Sequence, residues 1–518
     1  MAHCFVGLPK TQAGKISKTS LYKKKANGEM ETFRHVLWGD WLELAPEDPL
    51  DPTPDGWVKI TWKPNSDNPE IAYIKEAHKA DSRPLEIIFV DVGQGDGAVM
   101  ITPEPDDSEA ILVIDAGKHD HMLEFLHARF HTVKDDFQFT AAIITHPDED
   151  HYGGFRDIFE ATRIGFDTVY QSGLVERPLG AEFAKLGGLT TDAATGNSYI
   201  QTLATKRADI EAAFSDDTVF GRTRFPPVMF AALNNAKVKD FAMLSTGHGK
   251  LEAGRSWLPG FAPSERPAYQ IEVVGPVLEH DSAGTPGLRE ISNYAKTKNG
   301  HSVLLRLHIG GFKVLFGGDL NKPAEKFLLK HYAGLDQKKP LPRKKADRDA
   351  MIAAARGVFG AEVMKVCHHG ASDVTDEFIE TVNPAAFVIS SGDEEGHVHP
   401  KPDLLGRLGK LGRGASPVIL STELQRSTRE EADAEIVADL MEDIMGLTKK
   451  PTNKQAERMT ALVHELGRSN VSVFGSIYLK TDGTDLIVSF KKESASQKDK
   501  WFSFQYAIKA DGTLKLVK

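Results

Sequence analysis

Four side chains of metal-competent type, His146, Asp148, Asp150 and His151, crowd the short stretch Thr145-His146-Pro147-Asp148-Glu149-Asp150-His151-Tyr152-Gly153-Gly154, directly after the apolar run Ala141-Ala142-Ile143-Ile144. Imidazoles on either side of carboxylates combine borderline nitrogen donors with hard oxygen donors. That set holds zinc or manganese and leaves positions open for water. The spacing predicts two ligand pairs, His146 with Asp148 for one ion and Asp150 with His151 for another. A hydroxide bridging ions about 3.5–4 Å apart would then be the nucleophile of a hydrolase at neutral pH. Acidic turns also collect Asp and Pro, but two histidines around such a turn at a strand end point to metal chemistry.

Further blocks flank this one. Upstream are Phe89-Val90-Asp91-Val92-Gly93-Gln94-Gly95-Asp96-Gly97 and Leu112-Val113-Ile114-Asp115-Ala116-Gly117. Downstream are Gly300-His301-Ser302 through Leu307, Val314-Leu315-Phe316-Gly317-Gly318-Asp319-Leu320, Lys365-Val366-Cys367-His368-His369-Gly370-Ala371-Ser372, and Gly396-His397-Val398-His399-Pro400. In this order the blocks, over roughly residues 85 to 410, resemble the metallo-β-lactamase superfamily, whose signature is His-x-His-x-Asp-His at a strand end. Asp148 stands where the second histidine usually sits. That form, followed by Gly-Gly, is similar to the hydrolase domain of ComEC-type competence proteins.

The resemblance implies an α/β fold, an αββα sandwich, holding two divalent ions, zinc or manganese. It implies His146, Asp148, Asp150, His151, Asp319 and His399 as ligands, with Asp319 bridging the ions and His399 closing the coordination of the second ion. His369, followed by Gly-Ala-Ser, would give a proton to a leaving oxygen. His368 would ligate an ion or orient a ligand through its other nitrogen. Asp150 is counted with His368 and His369 as catalytic, whereas Asp96 and Asp115 are expected to support the ligand loop. The glycine-rich turn before Asp96 lacks a nucleotide-binding pattern and reads as a strand-to-strand turn beside the cleft. A further histidine, usual between the first motif and the Gly-Asp block, has no clear match. His248 and His280 are the candidates, and each reads better as a loop histidine. A site richer in carboxylate shifts preference from zinc toward manganese or magnesium.

The function so implied is a phosphodiesterase, a DNA nuclease above all, with nucleic acid as substrate. Two alternatives stay open. One is a hydrolase of a small ester, cyclic nucleotide or lactam on the same fold. The other is a binding protein with a degenerate metal site, suggested by Asp148 and the missing histidine.

Composition bounds the rest. A chain of 518 residues with 41% hydrophobic content can bury a large core, and a net charge of −10 argues against a surface coated for nucleic acid. Two basic clusters, Lys23 to Lys25 and Lys338, Lys339, Arg343, Lys344, Lys345, are candidate phosphate contacts or solvated loops. No run approaches the roughly 20 apolar residues of a membrane span. With no secretory pattern at its start, the chain is expected in the cytoplasm without membrane contact. Cys4 and Cys367 are the two cysteines, and Cys367 reads as a buried reduced thiol.

Residues 1–80 alternate short β runs with Pro/Asp-rich turns and predict a small β module, SH3-like, that could also meet a protein partner. Residues 85–495 form the expected catalytic domain, with insertions near 174–265 and 430–467. Helical periodicity marks Met122 to Phe130 and Tyr199 to Ala213. Residues 471–490 predict a hairpin, and 496–518 a β extension with an Ala-Asp-Gly turn.

Overall fold

The structure is a computed structural model that describes residues 2–12, 14–63, 68–104, 108–130, 136–391, 399–422, 475–492, 496–508 and 514–517, with a few positions between 444 and 459. It is a mixed α/β protein built on two large sheets. One has ten strands, in the order Val238–Met243, Ile164–Gln171, Phe137–Ile144, Ile111–Ala116, Gly97–Ile101, Leu85–Phe89, Ile477–Thr481, Asp485–Lys491, Trp501–Ile508, Leu514–Leu516. The other has eight: Lys250–Glu252, Arg255–Trp257, Tyr269–Gly275, Leu304–Ile309, Phe312–Phe316, Val363–Lys365, Ala386–Ile389, Val418–Ser421.

Strands apolar on both faces explain the layering, because successive side chains point to opposite sides of a sheet. In Phe137–Ile144, Ala141 and Ile143 enter a core shared by the two sheets, while Phe139, Ala142 and Ile144 enter a second core on the outer side. Leu305, Leu307, Val314 and Phe316 from the other sheet meet Ile87, Phe89 and Ile143 in the shared core. Leu304, Leu315, Met364 and Phe387 face the opposite way.

Helices cover both outer faces. Met122, Phe125 and Leu126 of His121–Arg129 and Phe155, Ile158 and Phe159 of Phe155–Glu160 pack on the ten-stranded sheet. Lys322–Tyr332, Lys345–Phe359, Asp376–Val382 and Pro402–Leu411 pack on the eight-stranded one. Each large apolar side chain so buried contributes about 1.5–3 kcal/mol. The four layers are held by burial across all three cores.

Each large sheet contains a parallel block, and these blocks set up the site. Ile111–Ala116, Phe137–Ile144, Ile164–Gln171 and Val238–Met243 are mutually parallel, as are Phe312–Phe316, Val363–Lys365, Ala386–Ile389 and Val418–Ser421. In open parallel sheets ligands gather beyond the carboxyl ends of the strands. Those are the ends from which Asp115, His146, Asp319 and His368 emerge.

Residues 3–80 make a separate seven-stranded antiparallel sheet around Cys4, Val6, Leu21, Ile60 and Ile74. It docks on the later strands through Lys480, which donates to Trp38 O at 2.6 Å, and through Gln505, whose Oε1 accepts from Ile16 N at 2.9 Å.

The stretch 174–265 differs from a simple insertion. It supplies the edge strand Val238–Met243 to one large sheet and Lys250–Glu252 and Arg255–Trp257 to the other. The helix expected from Tyr199 begins only at Arg207, because Ser198–Ile200 pairs as a strand with Pro286–Arg289 in a small four-stranded sheet. The expected helical segment 430–467 falls almost wholly outside the described residues. The hairpin is present as Ile477–Thr481 and Asp485–Lys491, and the C-terminal strands continue the same sheet. Among the described residues no helix is long and apolar enough to cross a membrane.

Candidate metal centre

Strand Phe137–Ile144 delivers Thr145 and His146, and one helical turn, Glu149–Tyr152, then aims Asp150 and His151 back toward the strand end. The neighbouring strand contributes Asp115, a residue held at φ 54°. Such strain in a non-glycine residue costs about 1–3 kcal/mol and persists where the surroundings enforce it. The enforcement is visible. Asp115 Oδ1 accepts from Thr145 N at 2.8 Å, Oδ2 accepts from Thr145 Oγ1 at 2.7 Å, and Oδ2 lies 2.8 Å from His151 Nδ1. With Nδ1–H given to Asp115, His151 turns its Nε2 lone pair inward, as a ligating imidazole requires.

The Gly93–Gly97 turn closes one side. A Cβ on Gly95, at φ +113°, would lie 1.8 Å from Asp150 O, so only glycine lets this turn reach the loop of His146 to His151. Asp96 N then donates to Asp150 O at 3.1 Å. The turn's amide anchors that loop. From the second sheet, Gly318, at φ +48°, lets the backbone pass where a Cβ would meet Ser302 Cβ at 2.5 Å, and this swings Asp319 into the centre. Strand Val363–Lys365 ends in His368 and His369, both at positive φ, 51° and 50°.

Asp96, His151, Asp319 and His369 converge, one ligand atom from each lying within 4.8 Å of all the others, and all four are buried. His151 Nε2 is 3.2 Å from His369 Nε2 and 3.2 Å from Asp319 Oδ1. His369 presents Nε2 because its Nδ1 is 3.0 Å from Asp96 Oδ1 and 3.2 Å from Ser390 O. Asp150 lies beside them, its Oδ2 3.5 Å from His369 Nε2.

A second group adjoins Asp319 Oδ2, with His146 Nε2 at 4.0 Å and His368 Nε2 at 3.9 Å. His146 Nε2 is buried, makes no hydrogen bond, and stands 3.5 Å from Asp148 Oδ2. The expected ligand His399 is buried behind His368, ring centroids 6.2 Å apart. His397 lies outside the described residues.

Electrostatics follow the geometry. Burial alone would lower the His151 imidazole, but Asp319 and Asp115 outweigh it and hold His151 well above the ordinary histidine range. The same contest, won by Asp319, raises His369. Burial would raise Asp319, yet His369 and His151 hold it well below the usual carboxylate range. A divalent ion would supply positive charge in place of these protons, and binding would release them. Facing imidazole nitrogens, clustered carboxylates and an orphaned His146 Nε2 therefore fit a metal ion chemically.

Two lysines missed by motif reading complete the centre. Lys365 is buried and pairs with Asp96, also donating to Gly318 O at 3.3 Å. Lys298 pairs with Asp148 and, at 2.9 Å, with Glu176. Lys365 lies inside the His368 block and its inward position at the strand end was the available signal. For Lys298 nothing local pointed to Asp148.

His248 and His280 stand apart: His248 Nδ1 is 2.9 Å from Ser245 Oγ, and His280 is exposed on a short strand. The Lys23–Lys25 cluster is taken up by Glu70, Asp51 and Glu31, while Lys338, Lys339 and Lys345 contact Thr195 O, Asp336 and Asp349. Cys367 is buried, and burial pushes its thiol far above the usual range, so it is no nucleophile. Comparison with family models and with curated proteins returns no match to this chain, and the site is read from its own geometry.

Proposed function

We propose that the protein is a metal-dependent phosphodiesterase of the metallo-β-lactamase type, acting on nucleic acid and first of all on DNA. One observation carries this reading: His151, His369, Asp319 and Asp96 bring their ligand atoms together at the carboxyl ends of two parallel strand blocks. The sandwich of two sheets between helix layers, and the order of the motifs along it, support the same superfamily. Asp150, His151, Asp319 and His369 would hold a divalent ion, manganese or zinc, with His146, Asp148, His368 and His399 on the adjoining side. Bound there, such an ion supplies Lewis acidity and lowers the pKa of a water.

The chain's own residues then divide the work. Asp115 fixes the His151 tautomer and so the direction of its donor nitrogen. His369, enclosed and held through Nδ1, serves as a ligand. His368 has a side chain 28% exposed and reaches the open side, where it would hand a proton to the leaving oxygen. The roles expected for these two histidines are thereby exchanged.

The test is cleavage of end-labelled and circular DNA, single- and double-stranded, with manganese or zinc, by the protein beside Asp150→Ala. Cleavage that disappears in the variant supports the reading. No cleavage of any DNA, RNA or nucleotide diester with either metal removes it.

A further inference from the structure

We propose that the Lys298 ammonium takes the place of a cation on the Asp148 side of the centre, so that the protein binds one divalent ion tightly. This rests on the metal-dependent reading above and specifies how many ions that centre holds.

Lys298 lies in the last turn of the helix Tyr294–Gly300 and is 8% exposed. A lysine so enclosed needs partners, and it has three. Its ammonium pairs with Asp148 Oδ1, lies 2.9 Å from Glu176 Oε1, and sits 5.3 Å from the centroid of the Tyr294 ring. Tyr294 in turn donates its hydroxyl to Glu176 at 2.5 Å, which locks the cage. Tyr294 and Glu176 together hold the ammonium in place.

Charge explains why the cage faces this aspartate. A neutral imidazole at position 148 would bring no charge, whereas Asp148 brings one negative charge beside that of Glu176, and Lys298 is the cation that meets both. Asp148 Oδ1 is thus occupied, leaving Oδ2 toward His146. A dication on Oδ2 would share one carboxylate with an ammonium, and their mutual repulsion opposes binding. The histidines of the intervening sequence are engaged elsewhere or stand apart, His248 with Ser245, His301 with Arg289 O and His308 with Glu272, while His280 is exposed. The other side is different. His151, His369, Asp150 and Asp319 face one another, and the lysine on that side, Lys365, is paired with Asp96 behind His369. The ion belongs there.

Metal-free protein titrated with Mn2+, read by calorimetry and by elemental analysis after desalting, decides the matter without any turnover. The wild type is expected to retain one equivalent. Lys298→Met should gain a second, with affinity at that position tightened at least tenfold, and its electron paramagnetic resonance spectrum should show a spin-coupled manganese pair. Lys298→Arg, which keeps the charge, should stay at one equivalent. Two tightly held ions in the wild type or in Lys298→Arg overturn the proposal, and these two proteins decide it if the methionine variant does not fold. A folded Lys298→Met that stays at one equivalent, or loses its ion, also overturns it and makes Lys298 an anchor for Asp148. Two ions in the wild type leave the phosphodiesterase reading intact, whereas a wild type that binds none sinks both.

Discussion

Asp96 and Asp148 stand on opposite sides of the centre, each on a buried lysine, and the two pairs are built differently. Lys365 and Asp96 are both enclosed, with side chains 4% and 7% exposed, whereas the Asp148 side chain is 28% exposed beside its lysine. A third acid supplies the contrast. Glu325, buried in the helix Lys322–Tyr332, accepts from Thr375 N but has no lysine, and burial pushes its carboxyl up to about 8. Burial would raise Asp148 too, but His146 and Lys298 hold it far below the usual range. Glu86 repeats the lesson: burial opposes it, yet Lys480, Arg129 and Arg83 keep it at about 2. Carboxylates stay charged inside this protein where a cation reaches them from another element.

The comparison can be broken most severely at the residue common to both sides. Asp319→Asn is expected to lower DNA cleavage on the order of 10³-fold or more, beyond the 10–100-fold typical of outer partners, with loss of bound manganese on elemental analysis. Next is the enclosed pair. Lys365→Met takes the cation from an enclosed carboxylate and should cost about 3–5 kcal/mol in urea denaturation, while Lys298→Met, beside a carboxylate that reaches water, should cost about 1–2 kcal/mol, between the surface and the buried case. A larger loss at Lys298 would invert the contrast.

Glu325 sharpens it through pH. Its folded carboxyl, at about 8 against an ordinary 4.5, favours the protonated form. Its stabilising contribution is therefore full below the ordinary value and is lost as pH rises through about 8. Glu325→Gln should flatten that dependence and be more stable than wild type at pH 9, by up to about 4 kcal/mol. Equal pH slopes for both proteins in denaturant titrations would contradict this. At Asp115→Asn manganese binding should weaken about 10–100-fold in calorimetry as the His151 tautomer loosens.

The ligand loop was legible because its residues are neighbours in sequence and follow a visibly apolar strand. Asp319 and His369 were legible for the same reason, each closing a strand with glycine beside it. What escaped was pairing between distant segments. Nothing near Lys298 announces Asp148 or Glu176, and Asp96 read as a supporting residue because its approach to His369 depends on how the two sheets meet. The helix expected from Tyr199 failed similarly. Its first residues join a strand whose partner, Pro286–Arg289, lies far along the chain, and tertiary pairing overrode local preference.

In the ten-stranded sheet, Leu85–Phe89, the strand that leads into the Asp96 turn, has Ile477–Thr481 as its neighbour, with Ile477 opposite Phe89. Ribosomal synthesis runs at about 5–20 residues per second, so Leu85–Phe89 waits tens of seconds for the strand that completes it. Until then it offers a bare backbone edge, the kind that invites wrong pairing, and the turn bearing Asp96 lacks its backing. The candidate centre is thereby tied to a strand made far later in the chain, and its backing is complete only once Ile477–Thr481 has emerged.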